Sequence, residues 1–183
     1  MTLTQNKTCK LITKLAFTLL VTATFTLATP SLAAPPAPNP LATPELPQSA
    51  LLGWTEQAVL KTFNLDYKNY KDVLKAASRN FTPQAWKEYN RALDASGNIT
   101  TIKERKLRLS GTLDGDAKII SQDAKTGIYT WKIEMPVKLV YASTENNAEV
   151  QEQLGSITVT VVKTPPNINA QGIAINSLVM TTK

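Results

Sequence analysis

The sequence predicts an α+β domain, with about three helices packed on a curved antiparallel sheet of about four to five strands. Three observations predict it. Between Leu51 and Leu93, apolar residues recur at intervals of three, four and seven. Beyond Lys106 the interval drops to two. Ahead of both lie an acid-free apolar leader and a proline-rich stretch, neither of which can build a core. The chain therefore divides into residues 1–33, 34–48 and 49–183.

The leader carries Lys7, Lys10 and Lys14, then an apolar or threonine run from Leu15 to Ala28, then the small residues Ser31 to Ala34. That is the three-part pattern of a secretory signal peptide, and the expected cut falls between Ala33 and Ala34. The run is 14 residues long and four of them are Thr. A spanning helix needs about 20 apolar residues, so an uncleaved membrane anchor is the weaker alternative. Cys9 precedes the run, where a lipid-anchored cysteine would have to follow it. The expected location is the periplasm, with membrane contact only if the leader is retained.

Removing the leader leaves 17 basic and 14 acidic residues, a net of +3 in place of +6. That is no footprint for nucleic acid. The absence of histidine excludes Ser-His-Asp and Cys-His nucleophiles and histidine zinc sites. A single cysteine can form neither an internal disulfide nor a multi-thiolate metal site. Residues 34–48 hold six of the eleven prolines, at 35, 36, 38, 40, 44 and 47. Such a stretch favours extended polyproline geometry, and fifteen residues at about 3.1 Å each would span on the order of 45 Å. It reads as a stiff spacer or as a tail without a role.

Leu52, Val59, Phe63, Tyr67 and Tyr70 mark the face of a first helix across Leu51–Tyr70. Asn64 and Asp66 are placed to interrupt it, with Asp66 capping a second helix through Leu74 and Ala77. A third helix has Thr82 as N-cap, Pro83 at its first position and Gly97 as its stop. Trp86, Tyr89 or Asn90, and Leu93 would face inward. Residues 98–105 suit a short amphipathic turn around Ile99 and Ile102.

Leu107, Leu109 and Leu113 then alternate with polar residues, and Ala117, Ile119 and Ser121 follow the Asp114-Gly115 turn as a second short strand. The strongest strand is 128–143. There Trp131, Ile133, Met135, Val137, Leu139 and Tyr141 point one way, and Thr130, Lys132, Glu134 and Lys138 the other. Pro136 falls on the wet face and lacks a donor, which predicts a bulge, a bend or an edge there. Ser156–Lys163 and Gly172–Met180 complete the sheet, which curves around the helices into a cone with one open end.

Pieces along about 130 residues then stand in a distinctive order: Trp54 and Ala58, Phe63-Asn64, Asn69-Tyr70, Phe81-Thr82 and Trp86. They continue with the run Gly127 to Pro136, reading G-x-Y-x-W-x-I-x-M-P, then Tyr141 and Gly172 to Ile175. This set resembles the periplasmic domain of the DotI/IcmL/TraM family of type IVB secretion and conjugation machines. The resemblance implies a nuclear-transport-factor-like cone and a non-enzymatic role. That role is built on contacts with other secretion-apparatus subunits, homo-oligomerisation among them. Members of the family look like bitopic inner-membrane proteins. A short, threonine-laden leader here points instead to a soluble periplasmic member or a stand-alone paralogue.

Site residues are less marked. Trp54, Trp86 and Trp131 lie on apolar stripes and read as core. The densest charge is Lys103, Glu104, Arg105, Lys106 and Arg108, either a solvated helix end or a partner-facing basic patch. Tyr67 and Tyr70 are further partner-contact candidates at the mouth of the cone. Asp114, Asp116 and Asp123 lack the spacing of a calcium loop, and Gly111 and Gly115 that of a phosphate loop. No carboxylate falls on the inner face, so no acid–base pair, cofactor site or metal site is expected. The alternative function is a soluble binding module that holds a small apolar ligand or peptide in the cone.

Overall fold

The structure is a computed structural model that describes residues 39–146 and 148–182. The leader and its expected cut between Ala33 and Ala34 lie outside the described residues. Four helices, α1 Gln48–Phe63, α2 Tyr70–Ala77, α3 Pro83–Ser96 and α4 Asn98–Glu104, pack on a curved sheet of six strands. The strands are β1 Leu65–Asp66, β2 Leu107–Leu113, β3 Lys118–Asp123, β4 Thr130–Ser143, β5 Glu149–Lys163 and β6 Ile173–Thr182. All pairings are antiparallel, in the order β1-β2-β4-β5-β6, with β3 beside β4.

Helix α1 ends at Asn64 for a reason that reaches across the fold. The Asn64 amide donates to Leu60 O at 3.0 Å, and its oxygen accepts the Gly111 N–H at 3.0 Å. One side chain thus stops the helix and ties it to the middle of β2. Gly111 permits that approach, since a Cβ there would lie 2.9 Å from Phe63 Cβ. The buried face of α1 is Leu51, Thr55, Ala58, Val59 and Thr62, not the purely apolar stripe that the periodicity suggests. Thr55 and Thr62 occupy core positions by donating back to Leu51 O at 2.8 Å and Val59 O at 2.7 Å.

Asp66 acts one step away from the cap expected of it. It belongs to the short strand β1, and its carboxylate accepts the N–H groups of Lys68 (2.7 Å) and Asn69 (2.9 Å) in the turn that leads to α2. Helix α3 follows the expected punctuation. Thr82 Oγ1 accepts the Ala85 N–H, Pro83 opens the helix, and Gly97 ends it with φ +67°. Gly97 also turns the chain straight into α4, the fourth helix, whose seven residues are too few to show a period. Ile102 is its buried anchor, at 1% exposure.

The six inward residues of β4 are all buried, from Trp131 to Tyr141. Two strands share one edge of β4. Strand β2 pairs from Leu107↔Ser143 to Leu113↔Val137, and β3 from Lys118↔Glu134 to Asp123↔Thr130. Pro136 stands at the gap between them. Its carbonyl accepts from Asp114 N at 2.9 Å, so its missing donor points into the break and costs no ladder bond. Strand β5 starts seven residues before the expected Ser156, because Gln151, Glu152 and Gln153 carry no apolar alternation and still pair with β4. The core forms two clusters. The larger surrounds Trp131, Ile133, Met135 and Val137, and the smaller surrounds Leu107, Leu109, Leu139 and Tyr141.

Of the proline-rich stretch, Asn39–Pro47 is described, and it lies against the sheet. Asn39 Nδ2 donates to Gly127 O at 2.8 Å, and Tyr129 N donates to Leu41 O at 2.6 Å. Lys163, with its side chain only 8% exposed, donates to Pro40 O at 2.8 Å and Glu45 Oε2 at 3.1 Å. Leu46 packs on the larger core cluster. The strap is therefore fixed at the start of β4 and the end of β5.

Trp131→Ala removes a side chain that is 2% exposed near the start of β4, in the larger core cluster. It should lower the unfolding free energy by about 3–5 kcal/mol in urea denaturation. A loss under about 1 kcal/mol would mean that the indole is not core.

Candidate functional site

The partner-contact candidates converge on one corner of the domain. Lys103 belongs to α4, Arg105 follows it, and Lys106 turns the chain into β2 with φ +50°. Thr144 closes the corner from the β4–β5 turn, donating to Lys106 O through its N–H (3.2 Å) and its hydroxyl (2.8 Å). The Lys106 ammonium meets Glu145 at 3.1 Å, which raises its pKa through that hydrogen bond and charge. Both side chains are largely exposed, so the pair contributes little to stability. Arg108 projects from the exposed face of β2, opposite Asp66 in register.

Tyr67 joins the same corner. Its N–H donates to Leu107 O at 3.1 Å, one residue beyond Lys106. Tyr70, at the start of α2, packs with Tyr67 on the smaller core cluster. Lys68 and Lys71 ride over the rings of Tyr67 and Tyr70, at 5.3 and 6.0 Å from the centroids. Sequence reasoning missed these two lysines, although the run Tyr67-Lys68-Asn69-Tyr70-Lys71 alternates aromatic and basic residues. The corner lies at the far end of β4 from the strap. Fourteen residues of strand separate them, roughly 45 Å at about 3.3 Å each.

A cavity of about 220 Å³ lies between α1, α3 and α4 and the concave face of the sheet. Phe63, Ile102, Leu139 and Met180 form much of its apolar wall, with the phenols of Tyr89 and Tyr141. Asn98, Gln153 and Thr182 add polar groups. No Asp, Glu, Lys or Arg lines it. Burial pushes the Tyr89 phenol up, against a smaller opposing pull from the Thr62 hydroxyl, and burial alone pushes up Tyr141. Both phenols are therefore neutral at neutral pH and unsuited to act as bases there. Glu134, on the wet face of β4, is occupied by the Ser156 hydroxyl at 3.1 Å.

Among the described residues, no group of three His, Cys, Asp or Glu side chains could hold a metal ion. Among them, too, no helix is long and apolar enough to cross a membrane.

Residues 19–182 match the DotI/IcmL family model, described as an inner-membrane complex component of the type IVb secretion system. The chain belongs to this family. The periplasmic domain of DotI is similar in structure, with a TM-score of 0.72 and 27% identity, covering 77% of this chain and 99% of that one. An IcmL-like type IV secretion system protein from Legionella pneumophila aligns with a TM-score of 0.68 at 23% identity, over 75% of this chain and 94% of that one. A periplasmic fragment of TraM gives 0.67 at 24% identity, over 75% of this chain and 98% of that one. No curated protein sequence matches the chain. The family's cone is thus the fold of this domain, as the ordered motif from Gly127 to Pro136 implied.

The cavity's phenols make stability depend on alkaline pH. Their folded pKa values lie above the ordinary 10.0, so the unfolded chain loses these protons first. Stability should therefore fall as pH rises past about 10, and Tyr141→Phe should reduce that fall. Denaturant midpoints measured between pH 8 and 11 check this, and an identical slope in the variant would contradict it.

Proposed function

We propose that this protein is a non-enzymatic periplasmic component, structural or accessory, of a type IVB secretion or conjugation-related apparatus. It acts by protein–protein contact with other apparatus subunits and with copies of itself. The observation that carries the reading is the family match, which spans residues 19–182 and so includes both core clusters and the corner. The similarity to the periplasmic domain of DotI, complete over 99% of that domain, supports the same reading. The similar DotI and TraM structures are periplasmic pieces of those proteins, and the leader of this chain has the pattern of an export signal. The cavity's lack of a charged group agrees with a role other than acid–base catalysis.

In this reading the corner of Tyr67, Tyr70, Lys103, Arg105, Lys106 and Arg108 is the partner-facing surface. Exposed cations around half-buried aromatics give a contact with both an electrostatic and an apolar component. The strap is pinned at the other end of β4, so the corner lies away from it. The partner it fits is acidic.

Crosslinking in native cells, followed by purification and mass spectrometry, tests this. Secretion-apparatus subunits should be recovered with the protein, and recovery should drop at least tenfold in a Lys103→Glu/Arg105→Glu variant. Recovery of a lone monomer, or undiminished recovery with the charge-reversed variant, would contradict the assignment of apparatus or corner respectively. The intact mass of the same sample distinguishes a chain cut after Ala33 from one that retains its leader.

A further inference from the structure

We propose that the cavity beneath α1, α3 and α4 is a binding site for a small neutral molecule of about one ring that carries one hydrogen-bond acceptor. This inference does not rest on the assembly role, because the cavity is separate from the corner's exposed cations.

Size is the first constraint. The cavity measures about 220 Å³. It is smaller than the roughly 300 Å³ at which pockets for drug-sized ligands begin, and larger than the about 150 Å³ that admits benzene in an engineered protein core. One ring with a short substituent fits between those limits. Charge is the second constraint. None of the fourteen lining residues is Asp, Glu, Lys or Arg, so an ionised ligand would lose its hydration without gaining a counter-charge.

The third constraint is a donor with no partner. Tyr141 is 7% exposed, lines the cavity, and its hydroxyl makes no hydrogen bond to another group among the described residues. A phenol set among Leu109, Leu139 and Ile102 and facing the cavity can donate to an acceptor placed there. Tyr89 differs, because its phenol already interacts with the Thr62 hydroxyl. A carbonyl or ether oxygen on the ligand would meet Tyr141 while the ring lies against Phe63 and Met180. The walls come from three helices and five strands, so the shape exists before any ligand arrives.

The test uses the purified protein labelled with ¹³C at the methionine methyl groups. Met180 lines the cavity, while Met135 is sealed in the larger core cluster and reports on the fold. Acetophenone supplies a ring and one carbonyl, toluene the ring alone, and benzoate the ring with a charge. Acetophenone should shift the Met180 signal saturably and leave Met135 in place. It should bind about three- to tenfold more tightly than toluene and at least tenfold more tightly than benzoate. Tyr141→Phe should erase the preference over toluene. Leu93→Trp and Ile99→Trp, which fill the cavity from α3 and α4, should each abolish the Met180 shift with the Met135 signal unchanged. The proposal is overturned if Met180 does not respond to either neutral probe. It is equally overturned if benzoate binds as well as acetophenone, or if the shift survives in both filled variants.

Discussion

Strand β4 is buried along one face for six alternating residues, and β2, β3, β5 and α1 are placed directly against it, with the remaining elements packed on those. A strand this long normally needs a partner of equal length on each side. Here β5 supplies one, at fifteen residues. The other side is shared by β2 and β3, which are seven and six residues long. Their junction falls at Pro136, the one position on β4 that cannot donate. A missing N–H in a continuous ladder would cost a hydrogen bond. At the break between two strands it costs none, and the Pro136 carbonyl still binds Asp114. The sheet can therefore change partners without a slip that would turn the inner face outward.

The same strand joins the two core clusters. Residues from Trp131 to Val137 belong to the larger, and Leu139 and Tyr141 to the smaller. Phe63 and Met180 touch both. The cavity lies where the clusters meet, with Phe63 and Met180 in its wall. At one end of β4 the proline strap is pinned by Lys163. At the other, β2, α4 and residues 144–146 close into the basic corner. One strand thus carries the strap at one end, part of the cavity wall on its inner face, and the charged corner at the other end.

Much of this was legible in the sequence, and the reasons for the rest are physical. The alternation from Trp131 to Tyr141 needs only one wet face to be readable. Thr82-Pro83 and Gly97 mark α3 because cap and stop chemistry is local. The family resemblance was legible in the Gly127–Pro136 run. The register of α1 was less clear, because Thr55 and Thr62 enter the core by returning their hydroxyls to the helix backbone. The first half of β5 was missed, since pairing rather than burial makes it a strand. Of the corner, the Lys103–Arg108 cations were visible as a run. Their meeting with Tyr67 required the β1–β2 pairing, which spans two residues and has no sequence signature. The cavity and the anchoring of the strap by Lys163 depend on long-range contacts that no local pattern encodes.

Amide hydrogen exchange along β4 tests the dependence of both clusters on one strand most directly. If β4 holds the domain as a single unit, amides in its 131–135 and 139–141 segments exchange only on global unfolding, with equal protection. The strap at Asn39–Pro47 and residues 144–146 exchange sooner. Markedly faster exchange at 139–141 than at 131–135 would show that the smaller cluster opens by itself. In that case β4 would not be the common support on which the corner and the cavity are built.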